Sequence, residues 1–237
     1  MRTKKLHGWD LSYSQAVALQ KQLAQKVEVV PLKNQPKTIA GLYCALSSDK
    51  QRILAAAVVL RVPNVTPGLW EPVERAEFEV IETATASQKI TFPYIPGLLS
   101  FRESPVCIAA VEKLNKEPHA FLIDGQGIAH PRRFGLAAHL GLFFDKPTIG
   151  CAKSRLTGSF EEPSLDKGSY SPLKDGDEVI GAVVRTRANV EPVFVSVGNK
   201  CTLKNAIEVT LAWTTKYRLP EPTRLAHQLV GKSKLEA

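Results

Sequence analysis

Phe121 to Arg133 reads FLIDGQGIAHPRR. An apolar run, Phe121-Leu122-Ile123, ends in one carboxylate, Asp124, and a Gly125-Gln126-Gly127 turn follows. His130, Pro131, Arg132 and Arg133 complete the stretch. The pattern predicts a buried strand that delivers a carboxylate to the end of a sheet. A carboxylate so placed suits a hard divalent cation. Two arginines just downstream suit a phosphate. Taken alone, an Asp-Gly pair more simply closes a turn, so the reading depends on the flanking chain.

Upstream, TIAGLYCAL (38–46) and RILAAAVVLRV (52–62) bracket a Ser-Ser-Asp-Lys turn, which predicts a β-hairpin. A third strand is expected over 73–83, with Ala76, Phe78 and Val80 turned inward. FPYIPGLLSFRE (92–103) reads as a proline-braced loop that presents Tyr94. Ser104 as N-cap and Pro105 in the first turn predict a helix to about Asn115, with Glu103 at its start. Further back, Ala16, Leu19, Leu23 and Val27 mark an amphipathic helix within 10–29, capped by Ser12 or Ser14 and closed off by Pro31 and Pro36.

Downstream, 133–144 is an apolar helix, and PTIGCAK (147–153) is a short buried strand ending in Lys153. A loop is expected over 158–176, then a strand pair at 178–186 and 193–197, a helix over 202–213 and a short tail helix. Consecutive strands followed by alternation with helices predict an α/β fold, a mixed sheet flanked by helices. The expected organisation is an N-terminal helix and linker (1–36) and then a single domain (37–232).

Hydrophobic residues make up 44% and charged residues 23% of 237 residues, as in a soluble globular protein. No apolar run approaches the ~20 residues of a membrane span, and no apolar segment follows the basic MRTKKLHGWDLS in the manner of a secretory signal. Cys44, Cys107, Cys151 and Cys201 are scattered in apolar contexts, with no CxxC pair, which points to reduced core thiols in the cytoplasm rather than a zinc site. The net charge of +8 favours a polyanionic partner.

PYIPGLLSFRE (93–103), DGQGIAHPRR (124–133), PTIGCAK (147–153) and YRLPEPTRLAH (217–227), in this order and spacing, resemble endonuclease V, the deoxyinosine 3′ endonuclease family. The resemblance runs over residues 38 to 230. It implies an RNase H-like fold, and Mg²⁺- or Mn²⁺-dependent hydrolysis of the second phosphodiester 3′ to deoxyinosine in DNA repair. Some members act on inosine in RNA. By the same resemblance Asp124 and Glu103 are metal-ligating carboxylates, Lys153 stabilises phosphate charge, and His227 stands beside a second metal or orients the water. Tyr94 is the wedge that fills the gap left by an extruded base. Leu99, Gly125, Gln126 and Gly127 line a tight base pocket, and His130 contacts a phosphate. The implied partner is inosine-containing nucleic acid, with no membrane, and the protein is expected to be a cytoplasmic monomer.

One departure stands out. The family's first strand reads Ala-Gly-x-Asp, and its Asp is a metal ligand; here the strand reads Ala40-Gly41-Leu42-Tyr43. A phenol, with a pKa near ~10, is a poor Mg²⁺ ligand at neutral pH. Asp49, six residues on, would lie ~20 Å away along a regular strand and cannot substitute. The expectation is a chain that folds as the family does and binds inosine-containing nucleic acid, but cuts it slowly or not at all. Gln126 and Asn199 stand where the family often has His; both still hydrogen-bond, so they tune substrate handling.

Overall fold

The structure, a computed structural model, describes residues 1–62 and 78–235. Thr38–Leu46 (β1), Arg52–Arg61 (β2) and Glu79–Lys89 (β3) form an antiparallel meander. Ala120–Ile123 (β4) then pairs parallel to β1, and Thr148–Ala152 (β5) parallel to β4. Tyr170–Asp175 (β6), Glu178–Val184 (β7) and Val193–Asn199 (β8) return antiparallel. The result is an eight-stranded sheet in the order β3-β2-β1-β4-β5-β8-β7-β6. Tyr13–Ala24 is α1, Leu99–Glu112 α2, Leu136–Phe144 α3, Leu203–Ala212 α4 and Glu221–Leu235 α5. This is the expected RNase H-like α/β architecture, a mixed sheet with helices on both faces.

Period-two alternation sorts the strands between two cores. Ala40, Leu42, Phe121 and Ile123 pack with Val106, Ala110 and Leu140 beneath α2 and α3. Ile39, Leu122, Ile149 and Cys151 face the other way, onto Ile207, Val209, Ala226 and Val230 of α4 and α5. The central strands β1 and β4 are buried on both sides, which is why their sequences read as near-continuous apolar runs. The N-terminal helix α1 carries the expected Ser12 cap, completed by Gln15 as a capping box. Its buried Gln20 donates to the carbonyls of Gly97 and Phe134 and so ties α1 to the two loops that flank the cleft described below.

Five expectations need correction. The third strand, expected at 73–83, lies partly outside the described residues; β3 runs on to Lys89. Val80 is exposed rather than inward: it lies on β3, the outermost strand of the sheet, and a bulge opposite Val59 and Leu60 separates it from Ala84 and Ala86, which pack beneath α2. Helix α2 starts at Leu99 rather than Pro105. The Ile95-Pro96-Gly97-Leu98 turn, with Gly97 at φ 77°, sets its start, and burial of Leu98 and Phe101 offsets the hydrogen bond that Pro105 cannot donate. The expected loop over 158–176 contains β6, an edge strand whose Ser171 and Leu173 point inward. The tail helix α5 is 15 residues long and packs across β1 and β2.

Candidate active site

Three parallel strands end at one place. Leu42 of β1 pairs with Ile123 of β4, so Tyr43 and Asp124 follow side by side, and Lys153 comes just past the end of β5. All three continue the alternation that turns side chains toward α5. Lys153 Nζ donates to Asp124 Oδ2 at 2.6 Å, and the Asp124 side chain is only 11% exposed. The same ammonium lies 4.7 Å from the centroid of the Tyr43 ring. His227 of α5 meets that ring edge to face at 4.5 Å.

Gly41 explains how α5 comes so close. It faces the helix two residues before Tyr43, and a Cβ there would lie 2.0 Å from the Pro222 backbone. Only glycine admits the crossing.

Glu103 comes from the other side of the sheet, on the second turn of α2. Its carboxyl faces the thiol of Cys44, the residue after Tyr43 and therefore on the opposite face. Burial pushes the Glu103 carboxyl up to about 7, while the neighbouring Cys44 thiol and the Arg102 charge pull it down. Burial also raises the Tyr43 phenol, helped by the Asp124 charge, so the ring stays protonated and neutral. Burial and Lys153 lower His227.

All of these groups but His227 border a cleft of about 450 Å³. Tyr43, Glu103, Asp124 and Lys153 line one part of it; Tyr94, Leu99, Gly125, Gln126 and His130 line another. Tyr94 is 68% exposed on the rim, with the Arg102 guanidinium 5.9 Å from its ring. Gly127 and His227 lie outside the lining. Gly127 is held behind it by Ser196 Oγ, which accepts from its N–H, and His227, exposed on α5, reaches only the Tyr43 ring. His130 is buried: its Nε2–H donates to the Gly97 carbonyl and its Nδ1 accepts from the Arg132 N–H, which fixes a neutral tautomer. Nε2 thus holds the Tyr94 loop, and Nδ1 closes the turn of its own segment.

Sequence reasoning missed Cys44 and Arg155, which also line the cleft. Position on β1 next to Tyr43 was the available signal for Cys44; Arg155 follows the Lys153 strand end by two residues. Asp49 stays in its hairpin turn, where it accepts from Ser47 Oγ and the Gln51 N–H.

The donor set does not fit a closed divalent-cation site. Among the described residues no group of three or more His, Cys, Asp and Glu converges as metal ligands. One of the two carboxylates already carries an ammonium partner, and an aromatic ring stands where a third would be. A hard cation needs several oxygen ligands.

A family model of endonuclease V matches residues 21–228. Endonuclease V of Methanothrix thermoacetophila is 46% identical over 229 residues, 97% of this chain and 95% of that protein. The crystal structure of endonuclease V from Streptomyces avermitilis superposes with a TM-score of 0.86 at 39% identity, covering 100% of this chain and 99% of that one. Endonuclease V of Ciona intestinalis, solved with a 24mer DNA containing an inosine followed by a ribo-adenosine, superposes at 0.72 with 26% identity, over 94% of this chain and 98% of that one. With the motifs, the sheet order and the cleft in agreement, the chain belongs to the endonuclease V family.

Proposed function

We propose that this chain recognises inosine in nucleic acid, and that Tyr43 suppresses the metal-dependent hydrolysis of the second phosphodiester 3′ to the lesion. The observation that carries this reading is the Tyr43 ring in the cleft wall, in contact with both Lys153 and His227. Recognition is supported by what surrounds it. Tyr94 projects from a braced loop and can replace an extruded base in the stack. The Gly125-Gln126 backbone offers close approach for a flipped base. Lys153 and Arg155 bring positive charge to the cleft of a chain with net charge +8. Cleavage lacks support because the carboxylates present do not make a cation cage. Removing an outer-shell partner alone typically costs ~10–100-fold in metal affinity or activity, and here an inner ligand position is filled by a ring.

The second reading is a fully competent deoxyinosine 3′ endonuclease of DNA repair that uses Mg²⁺ or Mn²⁺. Convergence of Glu103, Asp124 and Lys153 on one cleft favours it. A nicking assay separates the two. A labelled strand with a single inosine is incubated with the unaltered protein and with Tyr43→Asp, in Mg²⁺ and in Mn²⁺. The proposal expects the variant to cut at least ~100-fold faster, by the magnitude above. Equal rates would overturn it.

A further inference from the structure

We infer that this chain carries its own cation: Lys153 holds the place of a divalent ion, and inosine-containing nucleic acid binds without any metal. The inference rests on the recognition of inosine proposed above and extends it to the charge that receives the phosphodiester.

The geometry is that of a filled site. Lys153 Nζ is bonded to Asp124 Oδ2 at 2.6 Å and caps the face of the Tyr43 ring at 4.7 Å. Both contacts attract the same positive charge, one through the carboxylate and one through the π face. His227 meets the same ring edge to face. An incoming Mg²⁺ would have to displace the ammonium from Asp124 and find its remaining ligands without a carboxylate at residue 43.

Charge counting gives the same answer. Asp at position 43 would make three acidic groups beside one lysine, a net negative site that repels phosphate until a cation enters. With tyrosine, Asp124 and Lys153 cancel and Glu103 is the only further acid of this group. An ammonium has three N–H donors, and one of them is spent on Asp124. Two remain for phosphate oxygens, and the Lys153 side chain is 37% exposed toward the cleft. The Tyr43 hydroxyl adds a neutral donor.

Two measurements test this. The first is Mn²⁺ binding to the protein alone, followed by water-proton relaxation, for the unaltered chain, Tyr43→Asp and Lys153→Met. No saturable site in the unaltered chain and a site in Tyr43→Asp are expected. A saturable site in the unaltered chain overturns the inference, and so does its absence from Tyr43→Asp. Because no nucleic acid is present, this result stands even if inosine is not the ligand.

The second is the affinity for an inosine duplex and for a matched duplex without inosine, in Mg²⁺, Ca²⁺ and EDTA at constant ionic strength. The unaltered chain should bind the inosine duplex with a Kd that changes less than about threefold among the three conditions. Tyr43→Asp should tighten at least ~10-fold when metal is added. Lys153→Met should weaken binding equally in all three. A tenfold metal requirement in the unaltered chain overturns the inference. Equal affinity for the two duplexes would instead overturn the reading of inosine as the ligand.

Discussion

The Tyr43 ring meets the His227 ring edge to face, with centroids 4.5 Å apart, so β1 and α5 touch through the residue that departs from the family pattern. Tyr43 is therefore a packing residue as well as an intruder. Its aromatic contact is worth ~0.5–1.5 kcal/mol and the Lys153 cation–π contact about 0.5–1 kcal/mol at a part-exposed site. Tyr43→Asp should unfold ~1–2 kcal/mol more easily than the unaltered protein in EDTA. Saturating Mg²⁺ should restore stability to the variant alone, by about 2.7 kcal/mol at 100 times its Kd. Urea unfolding with and without Mg²⁺ reads both effects. A variant as stable as the parent in EDTA would show that the ring contributes no packing.

Gly41 lets α5 rest on the sheet. A methyl group there would lie 2.0 Å from both the carbonyl carbon and the carbonyl oxygen of Pro222, a clash with backbone that no rotamer change relieves. Gly41→Ala should cost about 3 kcal/mol, at the upper end of overpacking penalties. Hydrogen exchange in α5 should accelerate more than in β4, because α5 must lift while the central strand keeps its pairing. Uniform acceleration across both elements would mean that the helix does not yield separately.

His130 makes stability depend on pH. Burial first, and the Arg132 charge second, bring its pKa from an ordinary 6.5 down to about 4. The unfolded chain takes up a proton below pH ~6.5 that the folded protein refuses until about pH 4, so stability is full above that range and falls with acid. The loss between pH 7 and pH 5 should be about 2 kcal/mol from this residue alone. His139, fully buried beside His7, shifts in the same direction and adds to it. Urea midpoints at the two pH values measure the loss, and His130→Asn should reduce it. Equal midpoints for the unaltered protein would mean that His130 is charged in the folded state.

Much of this was legible from residues 38–62 and 121–124, where uninterrupted apolar runs between turn residues fix buried strands. The wrong start for α2 has a local cause: Pro105 fits a first turn, and nothing local shows that Leu98 and Phe101 will be buried. Strand β6 hid in a segment rich in Ser, Pro and Gly because an edge strand tolerates Pro172. Val80 misled because nothing within β3 itself shows that it is the outermost strand of the sheet. The Lys153–Asp124 bond joins residues 29 apart in sequence, and it appears only once β4 and β5 are set in register. Tyr43 was conspicuous only against the family pattern; its two ring partners come from β5 and α5 and have no signature at residue 43.

Tyr94 separates binding from folding. Its side chain is 68% exposed, and the loop beneath it is held by contacts that do not involve the ring: Gly97 O accepts from Gln20, His130 and Arg132. Tyr94→Ala should therefore leave stability within about 0.5 kcal/mol of the parent, as for other surface changes. If the ring fills the gap left by an extruded base, its loss removes a stacking contact worth ~1–3 kcal/mol per base, a rise in Kd of about 5- to 150-fold for an inosine duplex. The matched duplex, bound chiefly through phosphates, should lose much less. Fluorescence anisotropy with the two duplexes, next to a urea titration of the same variant, gives both numbers. An equal loss for both duplexes would make Tyr94 a general contact rather than the residue that takes the base's place.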